Sequence, residues 1–313
     1  DSIVYGLLTG AVFAWLWPRA QEKPLAMRFE VEGAEGTLDT YWPRVSPDGQ
    51  FLVMSATDST GTNRAYVRRM DQLEAHEIPG TANLQRAYWS PDSKEVVFVA
   101  DGKIQRAPIA GGSPTLVCAA PGGADLSWGK SGMILLDGRS TDSLRVVPAG
   151  GGELQPATRI DRAAKETGSG WPSFLPDGKH FLFIGTIGGN TSGGNIRLGK
   201  LGSLDSKLLG KSDGRAEYAP GDWVLFLRGT TLFAQKLDLA AERLTGQPIP
   251  LADGIRVGSA AGHFSISQAG ILALARQRTD ERYVMRTADR RGNISGPALV
   301  TGMIANPRLS PDG

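Results

Sequence analysis

The residues of this 313-residue chain that could do chemistry are few, and each stands in a spacing that can be checked. Gly210-Lys211-Ser212-Asp213-Gly214 has the Gly-x-Ser-x-Gly form of a nucleophile elbow, in which a strained strand-to-helix turn lifts a serine hydroxyl toward a carbonyl carbon. That chemistry needs a helix behind the serine, whereas residues 215–217 lead into another turn-bounded strand pattern. Gly129-Lys130-Ser131 has the ending of a phosphate-binding loop, but Ala124 stands where the first glycine must be and no helical pattern follows. His76-Glu77 has no second histidine four residues on, so it is not a zinc helix. His76, His180 and His263 are the three histidines, in three separate segments, and each reads as a polar strand or turn residue. The one cysteine, Cys118, excludes an intramolecular disulfide and a cysteine-cluster metal site. No catalytic, cofactor-binding or metal-ligating residue is therefore assigned, and no cofactor is expected.

Two sets recur along the chain and a third clusters around the last expected blade. Asp48, Asp92, Asp177 and Asp312 each follow a proline and read as turn residues, whose side chains bond their own backbone. Trp42, Trp89, Trp128, Trp171 and Trp223 read as packing residues, with stacking on a ligand open to any that lies near a channel mouth. Arg276, Arg278, Arg282, Arg286, Arg290 and Arg291 are interleaved with Asp280, Glu281 and Asp289 and read as a solvated face; an anionic partner is the sharper alternative. Net charge is only +2, so nothing calls for nucleic acid as a partner.

The elements that must carry these residues come from an internal repeat. Trp42-Pro43-Arg44-Val45-Ser46-Pro47-Asp48-Gly49 is matched by Trp171-Pro172-Ser173-Phe174-Leu175-Pro176-Asp177-Gly178, by Tyr88-Trp89-Ser90-Pro91-Asp92-Ser93, and by Asn306-Pro307-Arg308-Leu309-Ser310-Pro311-Asp312-Gly313. Weaker copies centre on Lys130-Ser131, Pro220-Gly221 and Gln268-Ala269. Turns fall near positions 48, 92, 131, 177, 221, 269 and 312, at spacings of 44, 39, 46, 44, 48 and 43 residues. Proline presets φ, aspartate bonds the backbone and glycine supplies positive φ, so each copy is a turn with a mechanism. An apolar run follows each turn and reads as a strand buried on both faces. A second hairpin completes each unit. Four strands per unit is the blade of a β-propeller. The expected fold is all-β: about six four-stranded blades, with a seventh begun at residue 306.

Ahead of the repeat, residues 3–17 (IVYGLLTGAVFAWLW) carry no charge and end in aromatics followed by Arg19 and Lys23. This suits a transmembrane helix at a membrane–water interface whose beginning lies before Asp1. A buried helix and a signal peptide are the alternatives. The expected domains are 1–24, helix and linker, and 25–313, propeller. Residues 25–32 (LAMRFEVE) alternate enough to form a strand, expected at the seam that closes the ring.

The Ser-Pro-Asp-Gly turn, with Trp-Pro ahead and an apolar strand behind, resembles the TolB-type repeat of bacterial propellers. The apolar run, then Met27-Arg28-Phe29-Glu30-Val31, then Ser46-Pro47-Asp48-Gly49, looks like the extracytoplasmic half of bacterial transmembrane serine/threonine protein kinases. The resemblance implies a non-catalytic sensor on the extracytoplasmic (periplasmic) side, binding a protein or small molecule at the channel mouth. The sequence holds no kinase motif of its own, so any kinase domain would precede Asp1. Two further readings stay open: a propeller gating a prolyl-oligopeptidase-like hydrolase, and a TolB-like envelope scaffold.

Overall fold

The computed structural model describes residues 34–120, 122–138, 141–188, 193–257, 261–276, 283–288 and 294–302. All of them fall in one compact unit, Gly33–Gly313. The segments read as a membrane helix (3–17), a closing strand (25–32) and a seventh blade (306–313) lie outside the described residues. No helix among the described residues is long and apolar enough to cross a membrane.

Each repeat folds as an antiparallel meander. The first blade is β1 (Thr37–Val45), β2 (Phe51–Asp58), β3 (Asn63–Arg69) and β4 (His76–Glu77). The second is β5 (Leu84–Trp89), β6 (Glu95–Ala100), β7 (Lys103–Pro108) and β8 (Thr115–Ala119). The third runs β9 (Leu126–Trp128), β10 (Met133–Leu136), β11 (Arg145–Pro148) and β12 (Gln155–Pro156). The fourth holds β13 (Glu166–Phe174), β14 (His180–Ile187), β15 (Gly194–Lys200) and β16 (Ser206–Ser212). The fifth holds β17 (Ala216–Ala219), β18 (Trp223–Arg228), β19 (Thr231–Asp238) and β20 (Arg243–Ala252). The first strand of each sheet packs against that of the next, from β1 through β5, β9, β13 and β17 to β21 (Phe264–Ile266).

The apolar runs owe their lack of alternation to this arrangement. On β6, Val96 and Phe98 join Val53 and Ala65 of the first blade, whereas Val97 and Val99 join Leu126 and Ile134 of the third. On β14, Phe181 and Phe183 face Leu135 of the third blade, while Leu182 and Ile184 face Val224 and Phe226 of the fifth. A blade's second strand thus has a neighbour on each face, and a fully buried Phe98 contributes about 1.5–3 kcal/mol.

The sixth sheet departs from the expectation of a four-stranded blade. Its strands form two separate two-stranded sheets, β21 with β22 (Leu272–Leu274) and β23 (Tyr283–Ala288) with β24 (Ile294–Gly302). β22 is only three residues long, and the chain beyond it is taken by the loop after the fifth blade: Arg256 N donates to Ala275 O at 2.8 Å, and Arg276 bridges Ile255. β21 and β22 nevertheless pack on β1, so the first and sixth sheets are direct neighbours and the inner strands form a complete ring of six.

Candidate binding site in the central channel

The turns fix where every inner strand ends. Asp48 Oδ1 accepts from Ser46 Oγ at 2.5 Å and Gln50 N at 3.0 Å, and Asp92 repeats this with Ser90 Oγ at 2.6 Å and Lys94 N at 3.1 Å. Asp177 accepts from Lys179 N and His180 N, both at 2.9 Å. Those hydrogen bonds outweigh the burial that opposes ionisation at Asp48 and Asp177, and all three carboxyls sit below their ordinary range. The aspartate series is therefore structural, as its turn spacing implied; Asp312 lies outside the described residues.

Because the strands end in register, two positions of each repeat make rings around the channel. Four residues before the turn positions stand Arg44, Tyr88, Ser127, Ser173, Glu217 and Ser265; six before them stand Trp42, Arg86, Asp125, Trp171, Arg215 and His263. The first ring also stitches the blades. Ser127 Oγ accepts from Phe174 N at 2.9 Å, Glu217 Oε2 from Ile266 N at 3.1 Å and Ser265 Oγ from Val45 N at 3.3 Å. In each case a side chain of one blade satisfies a backbone donor of the next, which would otherwise be orphaned where the sheets meet.

The charged members of this double ring come from the first, second, third and fifth blades. Asp125 accepts from Arg86 Nη1 and Tyr88 Oη, and Glu217 Oε1 accepts from Arg215 Nη2 and, at 3.1 Å, from Arg44 Nη1. The Arg44 guanidinium also lies 4.1 Å over the Tyr88 ring, and that of Arg86 3.9 Å over Trp42, which stacks on His263 at 4.2 Å. Burial opposes ionisation of Asp125, but Arg86, Tyr88 and Arg215 outweigh it and hold the carboxyl below its ordinary range. Asp137, which accepts from Ala124 N and Asp125 N, is pushed up to about 7 by burial and by the Asp125 carboxylate. Burial and the neighbouring Arg44 and Arg86 charges bring Arg215 down to about 9. The guanidiniums of Arg44, Arg86 and Arg215 thus bond the two carboxylates of Asp125 and Glu217.

Where the inner strands meet the turns, the channel opens into a cavity of about 140 Å³ lined by residues of all six inner strands, Arg44, Tyr88, Ser127, Ser173, Glu217 and Ser265 among them. Trp89 and Trp128 lie on its wall with Phe174 and Tyr218. Of the tryptophan set, Trp89 and Trp128 thus reach the channel mouth and Trp42 the channel interior. Trp171 is buried at the bulge of β13 (φ 51°), and Trp223 sits on a second strand under Lys236 Nζ, 4.4 Å away.

The remaining motifs resolve into structure. Ser212 Oγ accepts from Leu227 N at 3.1 Å and Gly214 N at 3.2 Å, and strand β17 follows, so the nucleophile-elbow spacing is a blade junction. Gly129-Lys130-Ser131 is the turn between β9 and β10, and His76-Glu77 is the exposed strand β4. His263 is buried, immediately ahead of β21. Arg276 bridges Ile255; Arg278, Arg282, Arg290 and Arg291 lie outside the described residues, and Arg286 falls on β23. The sequence reading missed Arg44, Arg86, Tyr88, Asp125, Arg215 and Glu217. The signal was present: aligning the copies on their turns puts charged residues at two fixed positions of strands otherwise rich in apolar residues.

No protein-family model matches this sequence, and no curated protein matches it. Solved structures do. TolB from Acinetobacter baumannii aligns over 69% of this chain and 55% of its own, at 14% identity and TM-score 0.53. The chain therefore spans about half that protein's length. A putative TolB from Agrobacterium tumefaciens aligns over 69% of this chain and 81% of its own, at 18% identity and the same TM-score of 0.53. A protein of unknown function from Desulfotomaculum acetoxidans aligns over 82% and 84%, at 15% identity and TM-score 0.54. What these neighbours share with this chain is the fold, and that fold is a TolB-like β-propeller.

Proposed function

We propose that this chain is a non-catalytic binding module whose ligand or partner engages the cavity at the turn end of the channel. One observation carries the reading: all six inner strands contribute to a single concave site that places guanidinium, carboxylate and hydroxyl groups beside aromatic rings. Pockets of this mixed character are where ligands bind. Among the described residues no three His, Cys, Asp or Glu side chains are grouped to hold a metal ion. The test is a thermal-shift screen of the full chain against small molecules and peptides, run beside Ser127→Trp, which fills the cavity. Ligands that stabilise the parent but not the filled variant support the reading; ligands that stabilise both equally place binding elsewhere and overturn it.

The wider setting we propose is a membrane-anchored receptor, with residues 3–17 as the anchor and the propeller on the extracytoplasmic side of a serine/threonine protein kinase. It rests on the uncharged, aromatic-ended run and on the repeat layout. A reporter fused after Gly313 is expected to be active outside the cytoplasm; activity only inside overturns the orientation.

A further inference from the structure

The Arg44 guanidinium has an edge without a partner. Its Nη1 is taken by Glu217, but Nε and Nη2 are buried without any hydrogen-bond partner, in a residue only 7% exposed. Nε–H and Nη2–H point in parallel and form the edge of a guanidinium that grips both oxygens of a carboxylate. Arg69 uses the same edge on Asp71 in this protein, with Nε to Oδ1 at 2.9 Å and Nη2 to Oδ2 at 3.0 Å. A buried charged donor left unpaired is costly, so a partner for it is favoured. Nε and Nη1 of Arg215, one ring deeper in the channel, are unpaired as well.

We infer that the channel cavity takes a carboxylate-bearing ligand with a flat apolar body, its carboxylate held two-pronged by Arg44 and its body against Trp89 and Trp128. The cavity of about 140 Å³ is of a scale to take one aromatic acid or the terminal residue of a peptide. One unpaired fork suits a monoanion rather than a phosphate dianion. The inference rests on the binding reading above and adds to it the class of ligand.

The probes are phenylacetate and its neutral isostere phenylacetamide, acetyl-glycyl-phenylalanine as free acid and as amide, and inorganic phosphate. Each is titrated by calorimetry into the full chain in detergent. The acids are expected to bind and the amides not. Arg44→Lys, which keeps the charge but loses the fork, should weaken acid binding by 10-fold or more. Binding of phenylacetate alone identifies a small acid as the source, and tighter binding of the peptide acid identifies a chain terminus. Equal binding of acid and amide, acid binding unchanged in Arg44→Lys, phosphate binding tighter than either acid, or no acid binding overturns the inference. If Arg44→Lys does not fold, Trp128→Ala leaves the ion network untouched and should weaken phenylacetate several-fold; unchanged affinity there also overturns it. Should the acids fail while other ligands are lost in Ser127→Trp, the binding reading stands and only the carboxylate assignment falls.

Discussion

Two buried arginines, Arg44 in the channel and Arg197 in the fourth blade, have the same chemistry and opposite surroundings. Arg197 gives Nε to Glu166 Oε1 and Nη2 to Asp161 Oδ2, each at 2.8 Å, and Asn195 adds a further bond to Glu166 at 2.7 Å. Gly185 makes room for that cluster, since a Cβ there would meet the Glu166 carboxyl at 2.3 Å. Arg197 is thus closed by partners on its own blade, and its job is to join β13 to β15. The corresponding edge of Arg44 meets no protein partner, although its surroundings are as dry. Burial of a charge is therefore not by itself a sign of function. What separates the two sites is whether the donors are used up.

The largest effect that would test this contrast is on stability. Replacing Arg197 by Met strands Glu166 in the interior with only Asn195 and should cost about 3–5 kcal/mol. Replacing Arg44 by Met leaves Glu217 still paired with Arg215 and removes two unpaired donors, so its cost should stay under about 2 kcal/mol. Urea unfolding midpoints at constant slope measure both. Equal costs would erase the distinction between a closed and an open cluster.

Gly185→Ala sharpens the closed side. The added methyl must displace the Glu166 carboxylate, an overpacking expected to cost about 1–3 kcal/mol. A neutral result would mean that the cluster has slack.

On the open side, Asp137 supplies a pH signature. Its carboxyl titrates well above the unfolded value near 4, so the native chain keeps a proton that the unfolded chain has lost. Its contribution to stability is complete below about pH 4 and is lost as pH rises through about 7. Asp137→Asn removes that titration while keeping an acceptor for Ala124 N and Asp125 N. The stability of the parent minus that of the variant should therefore fall from pH 4 to pH 8. A flat difference would place Asp137 outside the channel's charge network.

The smallest effect belongs to the turns. Asp48→Ala or Asp92→Ala loses local hydrogen bonds on the exposed rim and should cost about 1 kcal/mol, with ligand binding unchanged. A change in binding from either would show that the turns shape the cavity directly.

The fold was largely legible because its signals are local. Pro-Asp-Gly fixes a turn within four residues, and Val96 to Val99 record a strand with neighbours on both faces. The sixth blade was misjudged because β22 ends after three residues, where Arg256 and Ile255 take over the pairing; no local pattern announces a competitor some twenty residues upstream. The site was nearly illegible for a related reason. Arg44, Arg86, Asp125 and Glu217 come from four different blades, and each alone is an ordinary charged residue in a strand.

Sequence alone determined the repeat, its turn chemistry, the all-β class and the structural standing of the aspartate series, since each follows from residues within one unit. The ring decided the rest. Only closure of six inner strands brings positions 44 and 217 within 3.1 Å, buries His263 against Trp42 and sorts Trp89 and Trp128 from Trp223. The physical reason is distance along the chain: a charge network spanning 173 residues has no local energetic trace, and its partners are chosen by how the blades pack.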